Sequence, residues 1–169
     1  MSLYGGNRDI SLFKNLNNEL LKDIITQQCV YYKYDIEDTK INMYGEASGY
    51  KYYHQPVILN ALIARNDQEY PTDGIGVDFN WGIDFQFYRD HLVEANIVPE
   101  IGDIIMYLEG YYTVESTNAN QYFVGKHPDY PYDVNPLNPG LENFGQSVSI
   151  ICKTHYTPAD RVQITKERF

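Results

Sequence analysis

The chain is short of sulfur, short of positive charge and without any long oily stretch, and each shortage removes a class of protein. Two cysteines among 169 residues, Cys29 and Cys152, cannot build the disulfide framework that holds small secreted domains together. They read as buried, reduced thiols in a chain made in cytoplasm. Thirteen Lys and Arg stand against 23 Asp and Glu, for a formal charge of −10. So acidic a surface repels a phosphate backbone before contact, which argues against specific nucleic-acid binding yet suits a non-adhesive wall beside nucleic acid. No apolar run approaches the ~20 residues that a membrane-crossing helix needs. The longest, Ile104-Ile105-Met106-Tyr107-Leu108, has the length of a strand. The opening Met1-Ser2-Leu3-Tyr4-Gly5-Gly6 lacks the basic and apolar regions of a secretory signal.

Tyrosine is plentiful instead: 17 Tyr against 7 Phe and 1 Trp. Tyr packs well on a pleated, half-buried surface. It also serves protein interfaces, where the ring is buried and the hydroxyl finds a partner. With 43% hydrophobic residues in the length of one domain, the composition predicts a mainly β protein with large protein contacts.

Residues 1–14 read as an N-terminal arm, polar and turn-forming around Gly5-Gly6-Asn7-Arg8-Asp9, with Tyr4, Ile10, Leu12 and Phe13 as isolated anchors. Residues 15–169 read as a single β-rich domain. Leu16, Leu20 and Ile24, with Leu21 and Ile25, recur at i, i+4 from an Asn15 N-cap. They predict one amphipathic helix of about three turns whose apolar stripe covers a sheet. Strands are expected at Cys29–Tyr34, Gln55–Ile63 and Phe79–Tyr88, then a short helix Arg89–Ala95. Val98 to Ser116 carries the clearest local signal. Pro99 keeps the approach extended, Gly102 permits a positive φ, and Glu109-Gly110 is short enough to turn a hairpin between Ile104–Leu108 and Tyr111–Ser116. Ser147–His155 is the last expected strand, and Val162 and Ile164 are anchors in the tail. Extended loops are expected at 64–76 and 126–146, the second holding four of the eight prolines. A structureless stretch of that length is usually functional. The fold expected from these patterns is a mainly β core with one N-terminal amphipathic helix and long loops.

Reactive chemistry is sparse. His54, His91, His127 and His155 have no second His or Cys at metal-ligand spacing, so neither a metal nor a cofactor is expected. Asp35, Glu37 and Asp38 lack a calcium-loop pattern and read as a solvated turn. Gly74-Ile75-Gly76 does not link a strand to a helix and is no phosphate cradle. No serine sits in a nucleophile elbow, and Cys29 has only Lys33 as a basic neighbour. Asp84, Asp90 and His127 are the residues on which a small hydrolase or sugar-binding module would draw. The reading preferred is a non-enzymatic assembly protein.

Several landmarks then occur in order: Cys29-Val30-Tyr31-Tyr32 after the helix, Asn42-Met43-Tyr44-Gly45-Glu46, Asp73-Gly74-Ile75-Gly76 and Phe87-Tyr88-Arg89-Asp90-His91-Leu92. Pro99-Glu100-Ile101-Gly102-Asp103-Ile104-Ile105-Met106-Tyr107, Tyr111-Tyr112-Thr113-Val114-Glu115 and Gln121-Tyr122-Phe123-Val124-Gly125-Lys126 follow. From about Leu16 to Ile164 this series resembles the neck, or head-completion, proteins of T-even-type tailed bacteriophages. The resemblance implies a small β-barrel or sandwich-like core and a structural virion protein, made in the host cytoplasm, that forms a ring of sixfold symmetry. That ring closes the filled head beneath the portal and its adaptor, and meets a tail terminator or sheath-stabilising protein below. Genomic DNA passes through its channel without specific binding, and no membrane is involved. A tail-terminator or baseplate ring subunit is the alternative. Tyr4, Phe13, His127, Tyr130, Tyr132 and Leu137 are the candidate partner contacts, since tyrosine held by proline loses little entropy on docking.

Overall fold

Alternation along the strands decides the architecture. Cys29 and Tyr31, Leu59 and Ala61, Ile83, Phe85 and Phe87, Ile105, Tyr112 and Val114, and Ile150 and Cys152 all point inward, none more than 6% exposed. These residues line a closed barrel in the computed structural model, which describes residues 7–39, 43, 51–65, 81–119, 147–162 and 164. Its strands are β1 (Gln28–Tyr32), β2 (Val57–Arg65), β3 (Gly82–Tyr88), β4 (Ile104–Tyr107), β5 (Gly110–Asn118) and β6 (Ser149–Thr157). They run in the order β1-β2-β3-β6-β5-β4, every neighbour antiparallel, and β4 pairs back onto β1 through Tyr31↔Ile105 to close the ring of hydrogen bonds. A barrel this small is filled by side chains. Tyr31 meets Phe87 edge-on at 6.0 Å and Phe85 meets Tyr112 at 5.8 Å; Ala61 and the two cysteines leave room for these rings. The expected mainly β, barrel-cored fold is what the chain adopts.

One sector of the wall is buried on both sides. Tyr32, Ile104 and Tyr111 face outward from β1, β4 and β5 and are covered by Val162 of α3 (Ala159–Val162), with Tyr53 and Ile164 beside them. This explains the unbroken run Ile104-Ile105-Met106-Tyr107, because a strand with two buried faces need not alternate. The tail anchors Val162 and Ile164 do what the sequence suggests.

The short helix α2 (Arg89–Ala95) lies where expected and inserts Leu92, fully buried, towards the core. It ends in a Schellman arrangement. Asn96 takes φ 53°, its N–H donates to Val93 O at 3.1 Å, and Ile97 N–H reaches back to Leu92 O at 3.0 Å.

The structure corrects several boundaries. Helix α1 runs Asn7–Glu19 and continues as a π-helical segment, Leu20–Ile25, so the helix starts eight residues before Asn15 and takes in much of the supposed arm. The first six residues lie outside the described set. β2 runs on to Arg65, pairing Ala64 with Asp84 and Arg65 with Ile83, which shortens the loop expected from residue 64. Residues 66–80 and the proline-rich 126–146 lie outside the described residues. β6 is shifted two residues towards the C terminus. The hairpin turns at Leu108-Glu109 rather than Glu109-Gly110: Tyr107 pairs with Gly110, and the two loop residues take φ 46° and 66°. That is the positive-φ pair of a type I′ turn, whose twist matches the flanking strands. Gly110 stays in the strand because the Tyr112 ring lies over it; a Cβ there would meet the ring at 3.1 Å.

Candidate protein interface

Helix α1 presents two different faces. Its inner face carries Ile10, which is buried, then Lys14, Asn18 and Lys22 at four-residue spacing. Lys14 Nζ lies 3.4 Å from Asp90 Oδ1, and its carbonyl accepts from the Tyr88 hydroxyl at 3.2 Å. Tyr88 Oη is also 3.0 Å from Asp90 Oδ2. Asn18 Oδ1 sits 2.8 Å from His91 Nε2, and Lys22 lies 4.0 Å from Glu94. The helix is thus held to α2 and the end of β3 by a largely polar seam. Burial, reinforced by the Lys22 charge, lowers the His91 pKa below the usual 6.5; Glu94 and Asp90 oppose the shift.

The outer face is apolar. Leu12, Leu16, Leu20 and Ile24 are 60%, 56%, 42% and 71% exposed. The expectation that Leu16, Leu20 and Ile24 cover a sheet is therefore wrong; that task falls to Leu21 and Ile25, both half-buried. Starting the helix at Asn7 explains the difference. Ile10, Lys14, Asn17, Asn18, Leu21 and Ile25 then form the seated stripe, leaving the leucines on the opposite side. A four-residue step drifts by about 40° in an α-helix, and the π segment's wider turn brings Ile24 back into line. A surface helix ordinarily carries charge on this side. The π segment packs against β2, whose own outward side chains Ile58 and Leu62 are 66% and 42% exposed. Apolar side chains gathered in this way mark interaction surfaces.

Of the candidate contacts, Phe13 lies on α1, 37% exposed, with its carbonyl accepting from Asn17 Nδ2 at 2.8 Å. Tyr4, His127, Tyr130, Tyr132 and Leu137 lie outside the described residues. Sequence reasoning missed the role of the leucines because it took one apolar stripe for the whole pattern. The detectable signal was a second stripe through Ile10, available only once the helix is extended back to Asn7, into the segment read as an arm.

Polar chemistry concentrates around Asp103, 1% exposed at the foot of β4. Its carboxylate accepts from the Tyr31 hydroxyl at 2.5 Å, Tyr34 N–H at 2.9 Å, Glu100 N–H at 2.9 Å and Lys33 Nζ at 3.2 Å. Lys33 also donates to Val98 O at 2.9 Å and pairs with Glu100 at 2.8 Å. Gly102, at φ 96°, makes the turn that aims this carboxylate inward, and its N–H donates to Val114 O at 2.9 Å. Burial, then the neighbouring Asp103, pushes the Tyr31 hydroxyl far above its usual range, so it stays a neutral donor. A cleft of about 610 Å³ opens beside this cluster, lined by Tyr31, Lys33, His54, Val57, Ile97 and Glu100 among others. The ammonium at its edge is fully engaged, and the geometry ties β1 to the β4 approach.

The remaining reactive groups stand apart. His54 faces Asp35 at 3.6 Å and His155 faces Glu115 at 2.9 Å. Asp84 lies mid-strand opposite Lys153, away from the helix seam that holds Asp90. Burial pushes the Cys29 and Cys152 thiols up to about 12. Among the described residues no group of three His, Cys, Asp or Glu could hold a metal ion, and no helix is long and apolar enough to cross a membrane. In comparisons with known proteins, no family model and no curated protein matches this chain.

Proposed function

We propose that the chain is a structural subunit of a tailed-phage neck, forming a ring that closes the DNA-filled head beneath the portal and its adaptor and receives the tail. The observation that carries this reading is the outward row Leu12, Leu16, Leu20 and Ile24 on a helix fixed to a closed barrel. A rigid, side-chain-filled core that displays an apolar ridge is suited to work by contact. The ordered landmarks, which resemble those of the neck proteins of T-even-type phages, are what suggest the kind of assembly. The net charge of −10 suits a channel wall past which DNA slides without adhering. In this reading the subunit has no catalytic role, and the Asp103 cluster serves the fold. It is made in the host cytoplasm and ends in the virion, between the portal adaptor and a tail terminator or sheath-stabilising protein.

The test is localisation. A gold-labelled or fluorescently tagged chain should decorate purified particles at the head–tail junction, and particles made without it should accumulate as filled, tailless heads. Label at the distal tail or baseplate would move the protein to the alternative ring assemblies. Intact tailed particles made in its absence would remove the proposal.

A further inference from the structure

An assembly subunit displaying a leucine row must be kept soluble until its partners arrive, and the charges beside that row show how. Arg8, Asn15, Glu19 and Asp23 recur at spacings of seven, four and four along one flank of α1 and its π extension, all exposed. Among the described residues none of Arg8, Glu19 and Asp23 has an ion-pair partner. The single cation lies at the N-terminal end of the flank and both anions towards the C-terminal end. When two identical helices pack antiparallel across a twofold axis, each flank meets its own copy. An axis passing between Asn15 and Leu16 sets Arg8 level with Asp23 of the other copy, twice by symmetry. The same register crosses Leu16 with its counterpart at the centre and interleaves Leu12 and Leu20 on either side. A parallel pairing would instead turn this flank towards the opposite flank of the other copy, where Arg8 and Asp23 cannot meet each other. The sign pattern therefore selects the antiparallel arrangement.

We infer that the unassembled subunit pairs with a second copy of itself through α1, leucine row against leucine row, with Arg8 and Asp23 as reciprocal ion pairs. The contact is isologous and closes at two copies, so it does not build the ring; it covers the ridge until the assembly partner replaces the second copy. The contact is small, since one helix face per chain falls below the size of a permanent interface. A contact of that size is weak, so association is expected only at micromolar concentrations or above.

Sedimentation velocity on the full chain, from about 1 to about 200 µM, should show a monomer–dimer equilibrium that weakens with salt. Replacing Leu16→Asp together with Leu20→Asp should abolish it. Either Arg8→Asp or Asp23→Arg alone should raise the dissociation constant about tenfold, because two attractions become two repulsions. The combination Arg8→Asp with Asp23→Arg should return it to within about threefold of the starting value. All four positions are exposed, so far-UV circular dichroism should be unchanged. A strict monomer at the highest concentration overturns the inference. So does association indifferent to the leucine pair, or a charge swap that fails to restore it. The inference stands apart from the neck reading: a dimer whose label never reaches the neck loses that reading alone, and a monomer that does reach it loses the pairing alone.

Discussion

Asp103 concentrates more of the fold's polar bonding than any other described side chain. Replacing Asp103→Ala would leave the Tyr31 hydroxyl, the Tyr34 and Glu100 amides and part of the Lys33 charge without their acceptor. The expected loss is about 3–5 kcal/mol, read as a lower urea midpoint at constant slope. Tyr31→Phe removes one donor, leaves the carboxylate three others, and should cost only about 1–2 kcal/mol. Equal losses from the two would mean that the carboxylate is not the hub. One residue earlier, a Cβ on Gly102 would meet nothing within 4 Å, yet φ 96° is strained for any L residue. Gly102→Ala should therefore lose about 1–2 kcal/mol through the backbone alone. Gly102 could be foreseen from the sequence, because a glycine just before an apolar strand invites a positive φ. Asp103 could not: its acceptors' partners come from β1 and the segment before β4, some 70 positions apart, and only closure of the barrel brings them together. The cysteines were legible from their apolar neighbours. Both thiols should resist a thiol-specific reagent at pH 8 until the chain unfolds; rapid native labelling would contradict their burial.

At the scale of elements, the β4–β5 hairpin was read correctly in kind and displaced by one residue. Gly110 looked like the turn residue, but it is kept in the strand by the Tyr112 ring, leaving Leu108 and Glu109 in conformations that they adopt poorly. Replacing Leu108-Glu109 with Asn-Gly should raise stability by about 1–2 kcal/mol; a loss would argue against the type I′ geometry. The α1 seam gives a pH test. His91 binds a proton less readily in the fold than in the unfolded chain, where its pKa is near 6.5. Above that pH both states are neutral and its contribution is complete. As pH falls below 6.5 the unfolded chain takes up a proton that the fold resists, and stability declines until the folded pKa is passed. His91→Gln should flatten the wild-type fall in unfolding free energy between pH 7.5 and 5, and an unchanged slope would remove His91 from the account. α1 itself was half legible. Its leucine periodicity declared a helix, but periodicity cannot say which of two apolar stripes is seated; Ile10, in the segment read as an arm, decided it. Leu16→Ser with Leu20→Ser should accordingly change folding stability by less than about 0.5 kcal/mol, where core leucines would have cost several.

For the whole molecule, β composition, tyrosine excess and alternation were enough to anticipate a mainly β core, whereas its closure into a barrel in the strand order β1-β2-β3-β6-β5-β4 was not legible from them. It depends on β6 inserting between β3 and β5 across a long connection, and no local pattern encodes that pairing. The closure predicts one cooperative unfolding event. Trp81 lies 6.3 Å from Tyr156 across the β3–β6 seam, so its fluorescence and far-UV circular dichroism should trace superimposable urea curves. An earlier fluorescence change would mean that the seam opens on its own. Closure also limits how this chain can meet others. Because the six strands are paired all the way round, no described strand stands at an open edge of the sheet for a stranger's strand to extend. Recognition by the described barrel then falls chiefly to its side chains, where single substitutions can retune it.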